Sequence, residues 1–169
     1  TGVYSIVGFE LDHTLSESGS VSRGICAYDK EQHLTDIVEH LNIAKEADGK
    51  VYGDNSVSGQ THVELVADNL CSMNMWGFTP DYFERSEKIF TEFLQKYSQE
   101  LKKEFYIPFA VDTMIKSGEA KCDVLSTPSH WFGVTYKEDR PGVVAKFKEL
   151  ADKGAVSYTN LTLTTKRIV

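Results

Sequence analysis

Glu39, Asn74 and the run Lys102-Lys103-Glu104 are the residues of this chain whose types and settings could do chemistry. Glu39 closes the strand-like segment LTDIVE, and a carboxylate held at a strand end suits hydrogen bonding to sugar hydroxyls, which need acceptors in fixed geometry. A solvated strand end is the other reading of Glu39. Asn74 lies in an apolar run rich in Met, Trp and Phe. There a strand either delivers the amide to a ligand or leaves it satisfied by nearby backbone. Lys102 and Lys103 stand just before a helix, where ammonium groups and free N–H donors together suit a phosphate. They also fit an ordinary solvated loop. Gly53-Asp54-Asn55 reads as a turn and not as a metal site. A metal-binding Asp at a strand end needs a long apolar run to bury and aim it, and here only Val51 and Tyr52 precede.

The stretch that must organise these groups is DNLCSMNMWGFTPDYF, residues 68–83. It begins as a buried strand and stops at Gly77. Thr79-Pro80 then signals a helix, with Thr as N-cap and Pro at the first helical position, where its missing N–H costs nothing. Upstream, residues 3–11 read as a strand buried on both faces, and 12–20 (DHTLSESGS) as a polar loop. Residues 23–29 and 34–39 read as a hairpin around Asp29-Lys30-Glu31-Gln32. Residues 42–48 suggest one helical turn, and the glycine-dotted 50–64 a small exposed hairpin. Downstream, residues 80–97 form a strongly amphipathic helix, with Phe83, Ile89, Phe90, Phe93, Leu94 and Tyr97 at helical spacing. Residues 105–117 read as a more buried helix closed by Gly118. Strands at 120–126 and 130–134 and a helix over 137–153 follow. The order predicts an α/β fold, a mixed sheet with helices packed on it.

The totals narrow the class. The chain has 169 residues, 41% hydrophobic and 25% charged, enough for one domain with a real core. A net charge of −7 without any Lys/Arg run argues against a nucleic-acid partner. No apolar run approaches the ~20 residues of a membrane span. Cys26, Cys71 and Cys122 sit in apolar strand-like runs; an odd count without CxxC spacing suggests reduced, buried thiols and a cytoplasmic setting. The opening TGVYSIVGFEL is already inside a strand pattern, so an upstream part is expected. Residues 155–169 are Thr-rich, with no core pattern, and are set apart from a domain over 1–154. The Asn160-Leu161-Thr162 triplet fits a glycosylation sequon and is treated as chance.

Several phrases resemble the sugar-phosphate nucleotidylyltransferases of the glucose-1-phosphate thymidylyltransferase type. Arg23-Gly24 stands where that family starts a strand with Tyr-Gly, and Glu39-His40-Leu41 where its hairpin ends in Glu-Lys-Pro. Asn74-Met75-Trp76-Gly77 corresponds to its Gly-hydrophobic-Tyr-Phe strand. Glu104-Phe105-Tyr106-Ile107-Pro108 is similar to its Glu-Leu-Glu-Ile-Thr-Asp helix start. Residues 131–139, WFGVTYKED, align without a gap to its closing Trp-x-Asp-Val-Gly-Thr-Pro-Glu-Asp. The phrases SESGSVSRGI, SMNMWGFTPDYF and WFGVTYKEDRPGVVAK look closer still to a bacterial subgroup of nucleotidyltransferases.

The resemblance covers the chain up to about Gly154, and only the second half of a Rossmann-like nucleotide-diphospho-sugar transferase fold. It implies a sugar pocket lined by Gly24, Glu39, Asn74 and Trp76, with Lys102 near the sugar phosphate and Glu104 beside it. It implies an NTP and a sugar 1-phosphate as substrates, and Mg²⁺ in the complete enzyme. Two departures stand out: the family's lysine is His40 here, and its metal-holding Asp is Gly133. The family's glycine-rich GxGxRxxxxxxK phosphate loop has no counterpart in the 169 residues. The expectation is therefore a sugar-binding half, inactive on its own and holding no metal alone. A non-catalytic sugar-phosphate binding or regulatory module is the alternative. Self-association through an open sheet edge is a further possibility raised by the missing half.

Overall fold

The computed structural model describes residues 2–101, 103–134 and 136–156. Seven strands hydrogen-bond into one mixed sheet: β1 (Val3–Glu10), β2 (Val21–Tyr28), β3 (Leu34–Lys45), β4 (Val51–Asn55), β5 (Val63–Leu65), β6 (Leu70–Gly77) and β7 (Lys121–Thr127). Their order across the sheet is β5-β4-β3-β2-β6-β1-β7. Every neighbouring pair is antiparallel except β1 and β7. The connection from β6 to β7 passes over β1 and carries α1 (Asp81–Tyr97) and α2 (Ile107–Lys116), as an α/β fold requires. Among the described residues, 2–15 with 20–130 form one compact unit, and 16–19 with those from 131 to 156 form a second. The expected 1–154 domain spans both.

Strand alternation divides the first unit's apolar residues between two cores. On one face Tyr4, Ile6, Cys26, Ile37, Leu70, Cys122 and Val124 pack beneath Ala110, Val111 and Met114 of α2 and Tyr82 of α1. On the other, Ile43, Val51, Leu65 and Cys71 pack with Leu11 and Val21. α1 buries only Tyr82 and Phe93, so it is the less embedded helix, and Phe83 stays 72% exposed. All three cysteines are free and buried.

Several expectations are corrected. Residues 42–48 make no helical turn: β3 runs on to Lys45 through a bulge at Asn42, which takes φ 53° and donates to Asp54 Oδ2 at 2.8 Å. The bulge breaks strict alternation and disguises a strand that buries Ile43. The 50–64 hairpin is no exposed appendage either, because β4 extends the sheet and Val51 is 1% exposed. The polar stretch at 12–20 contributes Thr14 to the interior at 0% exposure, its hydroxyl donating to Leu11 O. β1 is well buried on one face and half-buried on the other, not buried on both. Helix α1 starts at Asp81 with Pro80 as its cap residue. The Thr79 hydroxyl donates to the Asp81 carboxylate and caps no backbone N–H.

Residues 130–134 form no strand. The Trp131 ring folds back over Gly133, Phe132 meets Phe147 edge-on at 5.1 Å, and α3 (Arg140–Asp152) follows a 3₁₀ turn over Lys137–Asp139. Ser18 donates to Asp139 Oδ1 at 2.6 Å, which ties 16–19 into the second unit. The Asn160 triplet lies outside the described residues.

Of the two sheet edges, β7 is covered in part by the turn at 29–33. Val124 N donates to Gln32 O at 2.8 Å, and His33 Nδ1 lies 2.8 Å from Asp123 Oδ1. No helix among the described residues is long and apolar enough to cross a membrane.

Met114 is fully buried between α2 and the sheet. Met114→Ala is expected to cost roughly 2–5 kcal/mol in urea unfolding; a loss below about 1 kcal/mol would refute this core. Burial pushes the Cys26 and Cys122 thiols up to about 12 and raises Cys71. Iodoacetamide near pH 8 should therefore leave all three unmodified in the native protein and alkylate all three in urea, as read by mass spectrometry.

Candidate functional site

A cavity of about 460 Å³ opens between strand β3 of the sheet and the segment leading into α2. β3 contributes Ile37, Glu39 and Leu41, and the turn after β4 contributes Ser56 and Val57. Phe93 and Tyr97 come from the last turns of α1. Lys103, Glu104 and Tyr106 come from the connector, and Phe109 and Asp112 from α2.

Glu39 reaches this cavity because β3 alternates. Ile37 and Glu39 share its inner face, while His40 between the strands is 6% exposed with Nδ1 3.1 Å from Val38 O. His40 therefore points away from Glu39. Gly24, paired with Glu39 across the strands, explains the room beside the carboxylate. A Cβ at position 24 would lie 3.1 Å from Ile37 Cγ1 and 3.5 Å from Glu39 Oε2. A side chain there would crowd Ile37 and close over the acid.

The electrostatics follow from partial burial. Desolvation raises the Glu39 carboxyl above its usual range, and the Arg23 guanidinium opposes that rise. A hydrogen bond to Glu104 holds the Tyr106 phenol up, helped by burial and by the charges of Glu104 and Glu39. Burial also raises Asp112, whose Oδ2 accepts from Lys116 Nζ at 2.8 Å while its buried Oδ1 takes no hydrogen bond. Asp36 accepts from the same ammonium at 3.0 Å, so Lys116 ties α2 to β3 at the floor of the cavity. Lys103 Nζ sits 4.9 Å from the centre of the Tyr97 ring.

Of the residues expected at a site, Glu39 and Glu104 converge on the cavity, with Gly24 beside Glu39. Asn74 and Trp76 do not line it. Asn74 is exposed and occupies a bulge of β6 at φ 55°; its backbone N–H donates to Ser72 Oγ at 3.2 Å, and Oδ1 accepts from Trp76 Nε1 at 3.4 Å. The expected buried mid-strand amide is thus a bulge residue, since Met73 to Met75 stand opposite Val7 alone. Trp76 stacks on Phe78, which stacks on Tyr82. Lys102 lies outside the described residues, and Lys103 is the lysine of that pair found on the cavity.

Sequence reasoning passed over Tyr97, Tyr106, Phe109 and Asp112. Tyr97 and Phe109 look like ordinary members of apolar helix faces, and Asp112 is a lone acid within a helix. Their common cavity arises only when α1 and α2 meet.

The closing motif does not suit the metal that the resemblance implies. Gly133 offers no side-chain ligand, and its Cβ position is only 2.6 Å from the Trp131 ring, so a side chain there would require that ring to move. No group of three or more His, Cys, Asp or Glu among the described residues is arranged to hold a metal ion. Neither a family model nor a curated protein matches the chain.

Because burial raises Glu39 in the folded state, its contribution is most favourable below the ordinary Glu range and is lost as pH rises through the raised folded value. Glu39→Gln removes that loss. The stability of Glu39→Gln relative to the parent should therefore improve on going from about pH 4 to about pH 7 in paired urea titrations. A difference that stays constant, or shrinks, would show that Glu39 is not desolvated.

Proposed function

We propose that the cavity binds a sugar 1-phosphate and that the chain supplies the sugar side of a nucleotidylyl-transfer site. The observation that carries the reading is the meeting of Glu39 and Glu104, from strand and connector far apart in the chain, in one aromatic-walled cavity beside the bare backbone of Gly24. Carboxylates accept from sugar hydroxyls, and ring faces cover the apolar side of a pyranose. Among the described lining residues Lys103 is the cation available to the phosphate, and its flexible stem serves a point charge well. Asn74 and Trp76 are not among the proposed contacts.

In the transfer itself, an oxygen of the sugar phosphate attacks the α-phosphorus of an NTP. A new P–O bond forms, the α–β bridging P–O bond breaks, and pyrophosphate leaves. The role of these residues is to hold and aim the attacking phosphate, which is where positioning accelerates a bimolecular step. Groups that would cradle the triphosphate, and the Mg²⁺ expected to neutralise it, are not supplied by the described residues. The reading thus has the 169 residues binding without turnover. A binding or regulatory module is the second reading, favoured by Gly133 and the Trp131 ring in place of a metal-holding carboxylate.

Calorimetry of the chain with a panel of sugar 1-phosphates tests the site. Binding is expected, and Glu39→Ala should weaken it about tenfold through loss of a charged hydrogen-bond acceptor. Absence of heat with every sugar phosphate would overturn the site, and nucleotide-sugar formation by these 169 residues would overturn the division of labour.

A further inference from the structure

We propose that the ligand of this cavity carries a cationic amine, protonated or quaternary, seated between the rings of Tyr97, Tyr106 and Phe109 and the carboxylates of Glu39, Glu104 and Asp112. The inference deepens the sugar-phosphate reading and rests on it for the phosphate end of the ligand only.

Charge is the first argument. Three carboxylates among the described lining residues face one ammonium, Lys103. Behind the lining, Lys116 pairs Asp36 with Asp112, and the charge of Arg23 reaches Glu39, so the surplus of carboxylates belongs to the lining itself. A phosphate deep in such a cavity would meet repulsion, whereas a phosphate at the Lys103 side with an amine further in would meet complementary charge at both ends. The walls supply the second argument. Aromatic faces carry negative electrostatic potential and attract ammonium groups that approach within about 6 Å of the ring centre. The protein already makes this contact at the cavity with Lys103, whose Nζ lies 4.9 Å from the Tyr97 centroid; Lys96, outside the lining, places its Nζ 5.0 Å from the same ring. The Tyr97 ring thus sits in a field and a geometry that hold ammonium groups. A neutral hexose would use the carboxylates as hydroxyl acceptors and bring no positive charge to Glu39 and Glu104.

The test is calorimetry of the full 169-residue chain with choline, glucosamine, glucosamine 1-phosphate and glucose 1-phosphate. Glucosamine 1-phosphate should bind at least about tenfold more tightly than glucose 1-phosphate, and the phosphate-free amines should bind measurably. Tyr97→Ala should weaken choline binding severalfold, Tyr97→Phe should preserve it by keeping the ring face, and Lys103→Met should tighten it by removing the competing cation. Preference for choline assigns a quaternary head, and preference for glucosamine a primary ammonium; either supports the inference. Equal affinity for the two sugar phosphates overturns it while leaving the sugar-phosphate reading intact. Binding of the free amines without any sugar phosphate keeps the amine site and removes that reading. No heat from any of the four overturns both.

Discussion

The packing of α2 on the sheet is the constraint from which the candidate site follows. Ala110, Val111 and Met114 are fully buried against strand residues from β1, β3 and β7, so the helix has one seat. That seat places Asp112 and Phe109, on neighbouring positions of the same helix, over strand β3. Lys116, shared by Asp36 and Asp112, pins the contact from the polar side. With α2 so held, the connector before it has to bring Lys103, Glu104 and Tyr106 past Glu39, and the cavity is what remains between them.

The two bulges play a comparable part for the strands. Asn42 in β3 and Asn74 in β6 both take left-handed backbone, which Asn tolerates better than most residues. In β3 the bulge keeps Ile43 and Val51 packed together while Glu39 stays on the helix-covered face. In β6 it turns Asn74 outward and lets Trp76 join the Phe78–Tyr82 stack. β2 and β6 meet at Gly24↔Ser72 and Ile25↔Cys71, close to the point where Gly24 leaves space beside Glu39. Small residues and bulges thus shape a polar opening into a sheet that is otherwise closely packed.

A cavity with acids, rings and, among the described residues, a single lining lysine suits ligands that present hydroxyl donors or a positive charge to its interior. It suits an anion only at the side where Lys103 stands. This distribution is the electrostatic reason to separate the two ends of the ligand, and it is independent of any resemblance between sequences.

Periodicity in the sequence determined the long elements, because a helix such as α1 and a strand such as β7 write their apolar residues at intervals that no tertiary contact alters. It also indicated Glu39 and the Lys-Glu connector, since strand ends and helix approaches are local features. The extension of β3, the buried role of Thr14, and the loop at 130–134 were decided elsewhere: in a bulge, in side chains packed from distant strands, and in the Trp131 ring lying over Gly133. The partnership of Glu39 with Tyr97, Tyr106, Phe109 and Asp112 likewise belongs to tertiary structure. Only the seating of two helices on one sheet brings those side chains around a shared space, and no interval along the chain records it.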